Sequence, residues 1–199
     1  MNLTHVLRRK RVLVIGLGNP SPAFDRTRHN VGTWLGDQLV KLRWNGFLGF
    51  KPDQRSKTVH VSTSSDTRYA HVTLAKVVGT YMNVLGAPVL KLWAQFKKES
   101  SDGLQLVIVH DDLERDVGKV QVRGGATSAR GHNGLRSINA AIGPKYTKMG
   151  LGIGRPATKL DRMVVGYVLG KFTQQETAVL ENETLVRAAE LLDQLVREE

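Results

Sequence analysis

Residues 12–20 read V-L-V-I-G-L-G-N-P. Val12–Ile15 is wholly apolar and mostly β-branched, with no polar residue alternating, so it suits a strand covered on both faces in a parallel sheet. Two glycines, an asparagine and a proline then stop it, which is strong turn chemistry. A second apolar strand, Leu104–Val109, is ended by Asp111 and Asp112. Val59–Ser62 and His71–Lys76 read as strands around a polar turn at Ser64–Thr67. Val117–Val122 alternates with Lys119 and Gln121, so it is half-exposed, antiparallel and near an edge. Met149–Ile153 is a strand interrupted by glycine. Between these runs lie helical patterns. Val31, Trp34, Leu35, Leu39 and Leu42 follow an N-cap at Asn30, and two more stripes cover Val84–Phe96 and His132–Ile142. Thr173-x-x-Glu176 is a capping box that opens a long amphipathic helix to about Val196. Residues 43–58 read as irregular, and Val164–Phe172 is apolar without a decisive period. Strands alternating with helices predict an α/β fold: a single domain over 12–199, with a twisted, mixed but mostly parallel sheet and helices on both faces. Residues 1–11 form a basic lead-in.

The chain has 199 residues and a formal net charge of +11. That charge implies a polyanionic partner, either nucleic acid or an anionic membrane surface. It has no cysteine, which excludes disulfides, thiol catalysis and cysteine-based zinc sites. No apolar run reaches the ~18 residues of a spanning helix. Arg8, Arg9, Lys10 and Arg11 stand in a start without acids, which fits either a transit-segment remnant or a plain lead-in to the first strand.

Five polar clusters each end an apolar run: G-L-G-N-P at 16–20, T-R-H-N at 27–30, Y-M-N at 81–83, H-D-D at 110–112 and G-H-N-G at 131–134. The carboxyl ends of strands are where such a sheet gathers its chemistry. The glycine turn is not a dinucleotide fingerprint, because Ser21 stands at the third glycine's place and Pro20 lies inside the loop. His29 with Asp111 makes a base and its orienter: an Asp that accepts from one ring nitrogen leaves the other free to take a proton from water. With no serine or cysteine partner, water is the nucleophile. Asn19, Asn83 and Asn133 carry amides able to grip a carbonyl or an N–H, although Asn83 and Asn133 also fit helix N-caps. No H-x-x-x-H or H-x-H spacing is present, so no metal is expected. Basic residues gather in the second half: Lys119, Arg123, Arg130, Arg136, Lys145, Lys148, Arg155, Lys159, Arg162 and Lys171. They suit phosphate contacts, or simply a solvated face. Aromatic residues are 6% of the chain, so recognition of backbone and shape is expected rather than base stacking.

Taken in order, V-I-G-L-G-N-P (14–20), T-R-H-N-V-G (27–32), K-V-V-G-T-Y-M-N (76–83), V-H-D-D-L (109–113), G-H-N-G-L-R-S-I (131–138), G-I-G-R-P (152–156) and V-L-G-K-F (168–172) resemble the bacterial-type peptidyl-tRNA hydrolase family. The resemblance implies an α/β monomer in the cytoplasm or mitochondrial matrix. It would cleave the ester between a peptide and the 3′-terminal ribose of tRNA, with peptidyl-tRNA as partner, no cofactor and no membrane. It also implies that His29 activates water, that Asp111 supports it, and that Asn19 distinguishes blocked from free aminoacyl groups. Asn83, Asn133, Tyr81 and Met82 then contact substrate, Arg123 the tRNA, and Phe24 stands where the family usually has a tyrosine. Ser21, Gly150 and the 124–131 loop depart from the family pattern. Lys148 is the expected compensation for Gly150, and Arg130 is expected to add a phosphate contact or alter access. A non-hydrolytic RNA-binding relative, like the chloroplast group II intron splicing factor, is the alternative.

Overall fold

The computed structural model describes residues 9–54, 56–101, 103–157 and 160–197. Its seven strands are β1 (Arg11–Gly16), β2 (Lys51–Asp53), β3 (Ser56–Thr63), β4 (Val72–Val77), β5 (Leu104–Asp112), β6 (Val120–Gly124) and β7 (Thr147–Gly152). They lie in the order β2-β3-β4-β1-β5-β7-β6. The centre, β4-β1-β5-β7, is parallel, while β2 and β3 on one edge and β6 on the other are antiparallel. This is the mixed, mostly parallel sheet expected. Helices α1 (Val31–Gln38), α2 (Gly86–Lys98), α3 (Asn133–Ile142), α4 (Asp161–Leu169), α5 (Gln174–Val179) and α6 (Leu185–Arg197) complete it.

The unbroken apolar runs follow from the two-sided burial of the central strands. Val12, Val14, Val107 and Val109 point to one core, shared with Val31 and Leu35 of α1 and Leu185, Ala188, Leu192 and Val196 of α6. Leu13, Ile15, Leu106 and Ile108 point to the other, against Val89, Leu92 and Phe96 of α2 and Leu135 and Ile138 of α3. Each such side chain contributes roughly 1.5–3 kcal/mol on full burial. Because α1 follows β1 onto one face, while the chain after β5 passes through β6 before α3 packs on the other, the connections leaving these paired strands diverge. A crevice opens between their carboxyl ends, where open α/β sheets bind ligands.

Gly32 holds α1 against that crevice: a Cβ on it would lie 2.5 Å from the Val109 carbonyl oxygen and 2.7 Å from the Leu17 nitrogen. Both neighbours are backbone and cannot rotate away. Gly32→Ala is therefore expected to destabilise the fold by about 1–3 kcal/mol, read as a lower denaturation midpoint at unchanged m-value.

Several sequence expectations are corrected. β5 runs on through Asp112, because β7 continues to pair with it at His110, Asp111 and Asp112. The 43–58 segment contains β2 and the start of β3. β6 begins only at Val120, after a turn at Gly118 with φ 96°. Residues 164–169 of the undecided apolar stretch are helical, as part of α4. The capping box at Thr173 and Glu176 is present, but a π-helical turn, Leu180–Thr184, separates α5 from α6. Asn30 sits before α1 without capping it by its side chain, which is turned to Asn19 instead. Asn83 lies in a 3₁₀ turn, Met82–Val84, ahead of α2, and Asn133 is the first residue of α3, so neither is an N-cap. Residues 1–8 of the basic lead-in, and Lys159, lie outside the described residues.

Candidate active site

His29 is carried on a 3₁₀ turn, Arg28–Asn30, directly before α1. Asp111 comes from the carboxyl end of β5. The His29 Nδ1 lies 2.8 Å from Asp111 Oδ1. A carboxylate can only accept, so the ring donates Nδ1–H and leaves Nε2 as the basic nitrogen. His29 is mostly buried, which opposes its charging, yet the Asp111 carboxylate outweighs this and raises its pKa above the ordinary value. The expected base and orienter therefore meet across 82 residues of sequence.

A third member was not singled out from the sequence. His132 places Nε2 2.9 Å from the same Asp111 oxygen. Its Nδ1 accepts from Leu135 N–H at 3.3 Å, capping α3, so Nε2–H is the donor to Asp111. Burial alone would push the fully buried Asp111 upward, but His132 and His29 hold its carboxyl well below the usual carboxylate range. The signal was present in G-H-N-G, where His132 adjoins Asn133, but nothing in the spacing reveals that it shares an acceptor with His29. His110 has a different character: its Nδ1–H donates to the Asp111 carbonyl at 2.7 Å. Burial and the neighbouring His132 push its pKa down to about 4, so it stays neutral at pH 7 and serves as a structural donor.

Asn19 is held on the β1 turn by reciprocal bonds with Asn30: Asn19 N–H donates to Asn30 Oδ1 at 2.8 Å, and Asn30 Nδ2 donates to Asn19 O at 3.0 Å. Its own Oδ1 accepts from Met82 N–H at 2.8 Å, so its orientation is set and its NH₂ is left to meet an acceptor. Met82 itself is buried; a Cβ on Gly134 would lie 2.6 Å from its sulfur, which shows how closely the 81–83 turn abuts the head of α3. Tyr81 is exposed and meets Phe24 edge-on, with ring centroids 6.1 Å apart. Asn83 and Asn133 are exposed, and Asn133 lines the cleft beside His132.

That cleft, of about 570 Å³, opens over His29, Asp111 and His132, with Val164, Val165 and Val168 of α4 along one side. Of the expected basic residues, Arg123, Arg130, Arg136, Lys148 and Arg155 line it, while Lys119, Lys145, Arg162 and Lys171 do not. Arg123 is bound to the buried Asp112 at 2.7 Å. Lys148 is buried, and its ammonium donates to the Thr127 and Ser128 carbonyls of the 124–131 loop. Burial and the nearby Arg123 and Arg130 lower its pKa. Lys148 thus ties down the unusual loop rather than standing free. Gly150 faces the same side: a Cβ there would lie 3.1 Å from Asp112 Cβ and from its Oδ2. Ser21 donates to Asp25 at 2.9 Å on the exposed loop. The aromatic pair, Asn19 and Asn83 are not part of the cleft lining. The cleft therefore has a basic side, while Asn19 lines a separate hollow of about 340 Å³ together with Asn30 and Trp34.

Among the described residues, His29, Asp111 and His132 bring three possible metal-ligand atoms within 4.8 Å of one another. In the arrangement seen, both ring nitrogens direct protons at the carboxylate, which satisfies all three without an ion. No helix among the described residues is long and apolar enough to cross a membrane.

The family model described as peptidyl-tRNA hydrolase matches residues 13–199. A peptidyl-tRNA hydrolase of Saccharomyces cerevisiae is 35% identical over 194 residues, covering 94% of this chain and 97% of its own. One from Dinoroseobacter shibae is 41% identical over 170 residues, covering 85% and 67%. The crystal structure of a point variant of peptidyl-tRNA hydrolase from Acinetobacter baumannii is 31% identical, with a TM-score of 0.76 over 95% of this chain and 90% of that one. Likeness over nearly the full length, in sequence as in fold, makes this chain a member of the peptidyl-tRNA hydrolase family.

Proposed function

We propose that this chain hydrolyses peptidyl-tRNA with His29 as general base. His29 Nε2 takes a proton from water, and the water oxygen bonds to the ester carbonyl carbon. The bond from that carbon to the ribose oxygen then breaks, and the ribose oxygen leaves with the proton returned from His29. Free peptide and tRNA result. Asp111 holds the tautomer and stabilises the imidazolium, and His132 steadies Asp111. The NH₂ of Asn19, and the amides of Asn83 and Asn133, hold the peptide carbonyls, with Phe24, Tyr81 and Met82 shaping that side. The basic side takes the RNA. The observation that carries this reading is the single Asp111 oxygen shared by His29 and His132 at the floor of a cation-lined cleft.

The family model and the relatives above carry a hydrolase name, which gives the non-hydrolytic alternative no support. We read residues 12–199 as the hydrolase domain and 1–11 as its basic lead-in. We read the working form as a monomer of the cytoplasm or mitochondrial matrix.

The test is release of the acyl amino acid from N-acetyl-aminoacyl-tRNA, with and without EDTA. Release that persists in EDTA supports a water activated by His29 alone; release lost in EDTA and restored by a divalent cation would replace it with a metal mechanism. No release, with salt-sensitive tRNA binding retained, would return the non-hydrolytic reading. Arg123→Ala is expected to weaken tRNA binding and to lower the salt slope by about one ion. It also leaves Asp112 without its guanidinium, so the variant should melt earlier than the parent. Unchanged binding across a salt titration would remove Arg123 from the RNA side.

A further inference from the structure

We propose that Arg28 is a positioning residue for His29, fastening the turn that bears the base to the segment around α4 that flanks the cleft. The inference rests on the reading of His29 as the base.

Arg28 precedes His29, and its side chain is only 9% exposed. A guanidinium so buried is costly unless its donors are met in a fixed geometry. Here Nη2 donates to both oxygens of Glu176, at 3.0 and 2.7 Å, and Nη1 to the Lys171 carbonyl at 2.8 Å, while Nε is buried without a hydrogen-bond partner among the described residues. Its plane lies against Tyr167, 4.2 Å from the ring centroid, and near Phe172 at 5.3 Å. The backbone is fastened too: Arg28 N–H donates to the Gly170 carbonyl at 3.0 Å, and Thr27 bridges to Lys171.

The partners are the residues that set the position of α4. Tyr167 donates its hydroxyl to the Ile153 carbonyl at 2.6 Å. Helix α4 contributes no fully buried residue of its own, so these tethers hold it beside the cleft. Glu176 also accepts from Thr173 N–H at 2.7 Å, closing the capping box of α5. One carboxylate thus fixes both the start of α5 and the guanidinium. On its other side, His29 is tethered by its ring to Asp111. Loss of the Arg28 side-chain clasp would leave the turn on its backbone bonds and the Asn30–Asn19 pair, with the Asp111 bond as the one hydrogen bond to the ring.

The experiment compares Arg28→Lys and Glu176→Gln with the parent chain and His29→Ala, using N-acetyl-aminoacyl-tRNA. Tyr69→Phe, which loses a bond to Asp193 outside the cleft, controls for destabilisation. The expected result is a kcat lowered roughly 10- to 100-fold in both Arg28→Lys and Glu176→Gln, with KM within about twofold of the parent. The double variant should be no worse than the poorer single one, because both break one clasp. A second readout needs no turnover: the NMR titration of the His29 ring should move to lower pH as its bond to Asp111 loosens. The titratable groups in contact with His29 are Asp111 of β5 and His132 at the head of α3, and the charged side chains that share its cleft include Glu114, Arg123, Arg130, Arg155 and Asp161.

A kcat unchanged in the folded variants, a loss equal to that of Tyr69→Phe, or a loss confined to KM would overturn the proposal. So would an unmoved His29 titration. If Arg28→Lys does not fold, the isosteric Glu176→Gln decides alone. A parent chain without turnover would sink the hydrolase reading instead, and the titration would still decide whether Arg28 orients His29.

Discussion

His29→Ala is expected to lower kcat for N-acetyl-aminoacyl-tRNA by about 10²–10⁴-fold, the range that a positioned general base supplies. The fold should survive, because His29 lies on the surface of a crevice, and its ring is bonded to Asp111 rather than packed in either core. A stopped-time assay of acyl release, beside circular dichroism of the same preparation, checks both halves. Activity within tenfold of the parent would remove His29 as the base. The pH dependence carries a sign. A general base must be neutral to accept a proton, so kcat/KM rises as pH climbs through the His29 pKa of the free enzyme. Because Asp111 raises that pKa, the acid limb should fall above the ordinary imidazole value. An acid limb set by His110 would instead lie near pH 4, where burial and His132 place its titration.

Asp111→Asn is expected to lower kcat less, by roughly 10–10²-fold, less than loss of the base itself. Asparagine keeps the shape and can still accept from the rings. It cannot stabilise the imidazolium that forms when His29 takes the proton, and its NH₂ competes for the same geometry. The loss of negative charge should also move the acid limb to lower pH, since the carboxylate is what raises the His29 pKa. KM should stay near the parental value, because Asp111 is fully buried behind the two rings and does not reach substrate. A fall in kcat with an unmoved acid limb would mean that Asp111 acts only as a spacer. A rise in KM alone would place it in substrate binding.

Parts of this architecture were open to reading from the residues. Val12–Ile15 and the 104–109 run predicted buried parallel strands, because a strand covered on both faces cannot alternate with polar residues. The half-polar rhythm of Val117–Val122 likewise announced an antiparallel edge, which β6 forms from Val120 onward. The capping box at Thr173 was legible, since its two hydrogen bonds join residues three apart. The short β2 escaped notice: it carries Lys51, Pro52 and Asp53, and exists because β3 pairs with it. The end of β5 was misjudged for the same reason, because its last three residues are held by β7.

The sequence by itself determined the class of fold, the two-sided burial of its central strands and the polar residues at their ends, because each depends on neighbours a few positions apart. Tertiary structure alone decided that His132 shares the Asp111 oxygen with His29, and that Asn30 orients Asn19 instead of capping α1. It alone decided that Lys148 holds the 124–131 loop, and that Arg28 grips Glu176 at a separation of 148 residues. Those choices belong to sheet order and helix packing, which bring donors and acceptors together across the crevice, where no local pattern can register them.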